Sequence, residues 1–167
     1  MFQHLVPDIR LHRVTDLTPR FAEEKGIRLL FLDYDNTLVP YTEPIPDLKV
    51  DCWLEEMRSS GILLCVLSNS RKSRVSAYCK EHDIPMIQNA HKPFATGLIA
   101  DMLKNFGVSR SQAALIGDQI YTDVLAAKLS CISAILVEPI HLHNVFLRIR
   151  HVLELPFIHM CQETKLS

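Results

Sequence analysis

Apolar residues in this chain gather in short runs separated by polar, helix-like stretches. Five runs stand out, at 27–32, 62–67, 85–87, 113–116 and 132–137. The first two and the last are nearly continuous, without the polar alternation of a sheet that has one wet face. They predict strands buried on both faces of a parallel sheet. Between them, residues 48–60, 70–82, 95–106 and 121–129 read as helices. Gly61 and Gly107 follow the first and third of these as stops. Strands alternating with helices predict an α/β fold with a central parallel sheet between helical layers.

The clearest amphipathic segment is 141–155. Leu142, Val145, Phe146, Ile149, Val152 and Leu153 fall on one face, with Arg148, Arg150 and His151 mostly elsewhere. In an α/β domain that face is expected to pack on the sheet. The competing expectation is a helix lying on a membrane with its basic residues toward anionic lipid, and Phe2, Leu5 and Val6 offer a second apolar contact. Residues 38–47, with three prolines, read as loop. No repeat or linker interrupts the chain, so residues 1–167 are expected to form one domain.

Composition narrows the function classes. At 48% hydrophobic and 22% charged residues the chain is an ordinary globular one. A net charge of -1 gives no overall basic field, and nucleic acid is not an expected partner. Cys52, Cys65, Cys79, Cys131 and Cys161 are scattered without a C-x-x-C pair, which argues against a disulfide framework or a zinc site and for a reducing compartment. With no apolar run of about 18 residues, the expected location is the cytoplasm, with peripheral contact at the inner face of a membrane as an addition. The pair His141 and His143, with His151, does not share one helical face well and is read as surface histidine.

Candidate chemistry collects where strands end. Asp33 and Asp35, two residues apart after the first run, suit a nucleophile that also binds metal and an acid–base partner. Ser68 and Asn69 after the second run suit an anion site at a helix start, Lys92 follows the third, and Asp118 and Asp123 follow the fourth. Each has a plainer reading: a polar turn, helix caps, a solvated lysine. Jointly, the C-terminal edge of an open parallel sheet is where ligands bind. Carboxylates, a hydroxyl and a lysine there make a metal-assisted phosphoryl site, with Asp118 completing hard oxygen ligation suited to Mg²⁺.

These four motifs, in this order, resemble the haloacid dehalogenase-like (HAD) superfamily: D-x-D-x-T at Asp33, Asp35 and Thr37, then Ser68, Lys92, and G-D-x-x-x-T-D from Gly117 to Asp123. The resemblance implies a three-layer Rossmann-like domain and an aspartyl-phosphate on Asp33. Asp35 would protonate the leaving group and then activate water, while Ser68 and Lys92 hold the phosphoryl group. Mg²⁺ would be bound by Asp33, the Asp35 backbone carbonyl and Asp118, supported by Asp123, with Thr37 and Asn69 fixing the loops. An aspartate at 35 places the chain with the phosphatases of that superfamily.

A closer likeness runs through Leu5-Val6-Pro7-Asp8, Val14-Thr15-Asp16-Leu17-Thr18-Pro19, Lys25-Gly26-Ile27, Ala90-His91-Lys92-Pro93 and the tail from Arg148 to Glu154. This is similar to the YqeG family of subclass IIIA phosphatases, whose relatives include mitochondrial phosphatidylglycerophosphate phosphatases. Tyr34 and His91 depart from that pattern, where Leu or Phe and Lys are common.

Only about two dozen residues separate Thr37 from the second run, and Ser68 from Lys92, too few for a large cap domain. An open site is expected to meet a bulky substrate such as a lipid headgroup, or to be covered by a second copy in a homo-oligomer. Phosphatidylglycerophosphate is the favoured substrate. The alternatives are a small-metabolite, nucleotide or protein phosphatase, or a regulatory binding partner of a ribosome-assembly GTPase.

Overall fold

The structure, a computed structural model, describes residues 2–142 and 145–161, without the side chains of Phe2 and Phe146. His143, the side chain of Phe146 and the start of the N-terminal apolar stretch therefore lie outside the described residues.

Six parallel strands form one sheet in the order β1-β6-β5-β2-β3-β4: β1 Ile9–Leu11, β2 Leu29–Leu32, β3 Leu63–Ser68, β4 Met86–Gln88, β5 Ala113–Gly117 and β6 Ser133–Val137. The five expected strands are all present. The sixth, β1, is a three-residue edge strand beside β6, too short to show a period in the sequence.

The unbroken apolar runs follow from burial on both faces. Leu30 and Leu32 of β2 point into one core, and Leu29 and Phe31 into the other; β3 divides the same way, Leu64 and Val66 against Cys65 and Leu67. The first core is closed by α1 (Pro19–Glu24), α2 (Leu48–Ser59) and α3 (Ser73–Glu81), which contribute Ala22, Trp53, Met57, Val75 and Tyr78. The second is closed by α4 (Thr96–Phe106), α5 (Leu125–Leu129) and α6 (Val145–Met160), which contribute Ile99, Leu103, Ala127 and Ile158. The result is a three-layer α/β domain without a large cap.

Local chemistry sets the helix bounds. Asp47 caps α2 by accepting from Val50 N at 3.0 Å, and α4 ends at Gly107 in the left-handed region, φ 64°. Helix α3 begins three residues later than its pattern predicts. The Ser68 hydroxyl accepts from Ser70 N at 3.0 Å and the Ser70 hydroxyl from Lys72 N at 3.2 Å, so side chains take the N–H groups and leave 69–72 as loop. A π-helical turn, Ile120–Val124, leads into α5. Residues 38–47 are loop, pinned where the Tyr34 hydroxyl donates to Pro44 O at 3.3 Å. That bond gives the tyrosine a task which Leu or Phe could not perform.

Helix α6 corrects the sequence reading. Its packing face is Glu154, Leu155 and Ile158, and of the expected core face Val145, Ile149, Val152 and Leu153 are exposed, with Leu142 half-buried ahead of the helix.

Candidate active site

The chain leaves β2, adds β3 and β4 on one side, then returns to add β5 on the other. The switch point therefore lies between the C-terminal ends of β2 and β5, where neighbouring loops diverge and open a crevice. Asp33 follows β2 and Asp118 follows β5, one on each lip.

Asp33 is buried at 6% exposure. Its Oδ1 lies 2.5 Å from Lys92 Nζ, and the Thr37 hydroxyl donates to Oδ2 at 3.4 Å. Lys92 is buried too, and its Nζ also sits 2.6 Å from Asp123 Oδ1, so one cation stands between two carboxylates. Burial alone would lower the lysine, but Asp123 and Asp33 outweigh it and hold the ammonium charged well above its ordinary range. Asn69 clamps the Lys92 backbone from both sides: its Oδ1 accepts from Lys92 N at 2.7 Å and its Nδ2 donates to Lys92 O at 3.2 Å. Asn69 thus aims the lysine through the main chain.

Asp33, Asp118 and Asp123 can each offer a carboxylate oxygen within 4.8 Å of the others, all three buried. Burial pushes Asp33 up to about 7, Lys92 opposes it, and Asp123 and Asp35 add to it. Asp118 is raised well above the carboxylate range by burial, then by Asp33 and Asp123. Both oxygens of Asp118 are buried without a hydrogen-bond donor among the described residues. Three acids facing one lysine, one of them lacking any donor, form a hard oxygen set short of positive charge. This donor set fits a divalent cation.

Gly117 makes the packing possible. A Cβ there would stand 2.3 Å from Asp123 Cγ, so only glycine lets β5 end this close to the carboxylate that holds Lys92. Asp123 is steadied by Gln119 N, which donates to Oδ2 at 3.1 Å.

Asp35 stands apart from the trio. Its carboxylate pairs with the Arg74 guanidinium of α3, both side chains 16% exposed, while Asp35 still lines the cleft. Asn36, at φ 64°, ties the following turn down: its Nδ2 donates to His141 O at 3.0 Å and its Oδ1 accepts from Tyr41 N at 3.3 Å. His91 is exposed and does not line the cleft.

The cleft measures about 240 Å³ and joins Asp33, Asp35, Ser68, Asn69 and Lys92 to Gln119, Thr122, Leu147 and Arg150. A larger cavity of about 390 Å³ lies under the 38–47 loop, but it shares only Thr37 with the constellation, so the chemistry locates the site in the smaller one. Arg74 and Arg150 were not among the expected site residues. Each reads in sequence as the solvated face of a helix, and the one signal available was the i, i+4 spacing of Arg150 and Glu154. Glu154 is 1% exposed and accepts from Ile120 N at 3.1 Å, which brings α6, and Arg150 with it, over the site.

Comparison with known proteins bears on the family and the fold. Residues 2–141 match the family model described as mitochondrial PGP phosphatase. The chain is 30% identical over 135 residues to "Probable phosphatase YqeG" of Bacillus subtilis (strain 168), covering 81% of this chain and 78% of that protein. In fold it is similar to 3-deoxy-D-manno-octulosonate 8-phosphate phosphatase from Moraxella catarrhalis, solved with magnesium ion, phosphate ion and a KDO molecule. That likeness has a TM-score of 0.51 at 19% identity, over 84% of this chain and 91% of the other. The corresponding enzyme of Yersinia pestis gives a TM-score of 0.51 at 16% identity, over 80% and 74%.

Proposed function

The chain belongs to the mitochondrial PGP phosphatase family, phosphoric monoester hydrolases of the HAD type, and from that premise we propose that it removes the terminal phosphate of phosphatidylglycerophosphate by way of an aspartyl-phosphate on Asp33. The observation that carries this reading is the Asp33 carboxylate, buried, ion-paired to Lys92 and set beside a donorless Asp118.

In the proposed reaction an Asp33 carboxylate oxygen attacks phosphorus and the bond to the glycerol oxygen breaks. Asp35, which enters this step protonated and released from its pairing with Arg74, gives its proton to that oxygen. Asp35 then takes a proton from the water that attacks phosphorus, which releases inorganic phosphate and restores Asp33. Lys92 and the Ser68 hydroxyl neutralise and hold the phosphoryl oxygens. Asp33, the Asp35 backbone carbonyl and Asp118 would hold Mg²⁺, with Asp123 beside them, and the ion would supply the positive charge that the three acids call for. Arg74 keeps Asp35 at the cleft wall.

The lipid assignment draws on the family and on the uncapped cleft, which leaves room for a substrate attached to something large. No helix among the described residues is long and apolar enough to cross a membrane.

Phosphate release from phosphatidylglycerophosphate in mixed micelles, with p-nitrophenyl phosphate beside it, tests both halves. Each is run with Mg²⁺, with chelator, and with Asp33→Asn. Release from the lipid well above the small ester, lost with chelator and in the variant, is the expected result. Turnover of the small ester alone would keep the chemistry and remove the lipid.

A further inference from the structure

The apolar stripe of α6 points away from the protein. Val145, Ile149, Val152, Leu153 and Met160 are between 56% and 69% exposed, and their spacing places them along one side of the helix. Single exposed aliphatic residues are ordinary on a protein surface; a continuous stripe of five along one helix marks a surface that meets something apolar.

Charge indicates what it meets. Arg148 and His159 are exposed on α6 beside the stripe, while the one acid of the helix, Glu154, is turned inward onto Ile120 N. The outward side of α6 therefore offers apolar and basic groups and no carboxylate. A two-fold contact with a second copy would bring the same basic residues around one patch, with no acid on the helix to answer them. An anionic lipid surface answers both the stripe and its rim.

Position indicates what the contact would accomplish. The inward flank of the same helix contributes Leu147 and Arg150 to the wall of the cleft that holds Asp33 and Lys92. We propose that α6 is an interfacial helix that seats the protein on an anionic bilayer, with its stripe in the boundary between headgroups and acyl chains and the mouth of the cleft beside it. The family match ends at residue 141, so the helix that docks lies beyond the matched residues. What the cleft finds at that surface rests on the lipid-phosphatase reading; the docking itself does not.

Co-sedimentation of the full chain with phosphatidylcholine vesicles, with and without phosphatidylglycerol, tests this. The wild type is expected to sediment with the anionic vesicles. An Ile149→Asp/Val152→Asp double variant should lose at least about tenfold in partitioning while turning over p-nitrophenyl phosphate as the wild type does. Wild type left in solution with both vesicle types would overturn the docking, as would a double variant that binds unchanged. Sedimentation equilibrium showing a wild-type dimer that the double variant abolishes would assign the stripe to a second copy and overturn it too. Vesicle binding without hydrolysis of phosphatidylglycerophosphate would sink the lipid-phosphatase reading and leave the docking standing. Hydrolysis in detergent micelles without vesicle binding would do the reverse.

Discussion

Helices α4 and α6 cover the same side of the sheet, but α6 packs Leu155, Phe157 and Ile158 inward and still leaves a second apolar stripe outside. On α4, Ile99 and Leu103 are buried in the core, and Asp101 and Lys104 face out. On α6 the outward stripe is apolar, while Glu154 and Arg150 are turned inward. The difference lies in what each helix covers. Beneath α4 are aliphatic side chains of the strands. Beneath α6 are the Ile120 N–H, which needs an acceptor, and Asp118, whose charge Arg150 favours. A buried donor left unsatisfied costs more than an exposed valine does. An amphipathic pattern therefore tells that a helix has two sides, and the ground beneath decides which side goes down.

The strongest way to break this contrast is from the polar ground itself. Lys92→Met leaves Asp33 and Asp123 without their cation, and p-nitrophenyl phosphate turnover should fall by roughly a thousandfold. A variant retaining more than a tenth of wild-type turnover would remove Lys92 from the chemistry.

The same substitution on the two helices sharpens the contrast directly. Ile99→Asp buries a carboxylate in the core and should cost about 4 kcal/mol or more in urea unfolding. Ile149→Asp, on the exposed stripe, should stay within about 0.5 kcal/mol of wild type. Equal losses would mean that the α6 stripe is packed after all.

A smaller effect is expected where β5 meets the acids. Gly117→Ala drives a methyl into the Asp123 carboxylate, which must move and take its hold on Lys92 with it. Turnover should drop between about tenfold and a hundredfold, with the far-ultraviolet circular dichroism unchanged. Wild-type turnover would show that Asp123 can shift freely.

The smallest effect concerns the inward acid of α6. Burial raises Glu154 to about 7, against the opposition of Arg150 and the N–H groups of Tyr121 and Ile120, from 4.5 when unhindered. The folded protein therefore holds this proton where the unfolded chain has released it. The stability it contributes is full below pH 4.5 and is lost as pH rises through 7. Glu154→Gln keeps an acceptor for Ile120 N and carries no such proton. Across that window the wild type should lose roughly 2 kcal/mol relative to the variant. Parallel stability profiles would place the Glu154 carboxylate in solvent contact.

Much of this protein was legible in the chain by itself. Runs such as Leu29 to Leu32 could only be strands buried on both faces, because an alternating strand would have shown polar residues at every second place. The constellation of Asp33, Asp35, Ser68, Lys92 and Asp118 was legible because each residue stands at or shortly after the end of a strand, and parallel strands bring those ends to one edge. Tertiary structure decided the rest. The β1 strand is too short to carry a period and exists because the edge of β6 is there to pair with it. The contact of Asp123 with Lys92 Nζ at 2.6 Å exists because Gly117 opens the space, and Arg74 reaches Asp35 across the fold, 39 residues away. The orientation of α6 was beyond the sequence for the same physical reason: its pattern is a property of one helix, while the side that turns inward is chosen by the unmet hydrogen-bond donor and the unbalanced charge of residues brought beneath it by the fold.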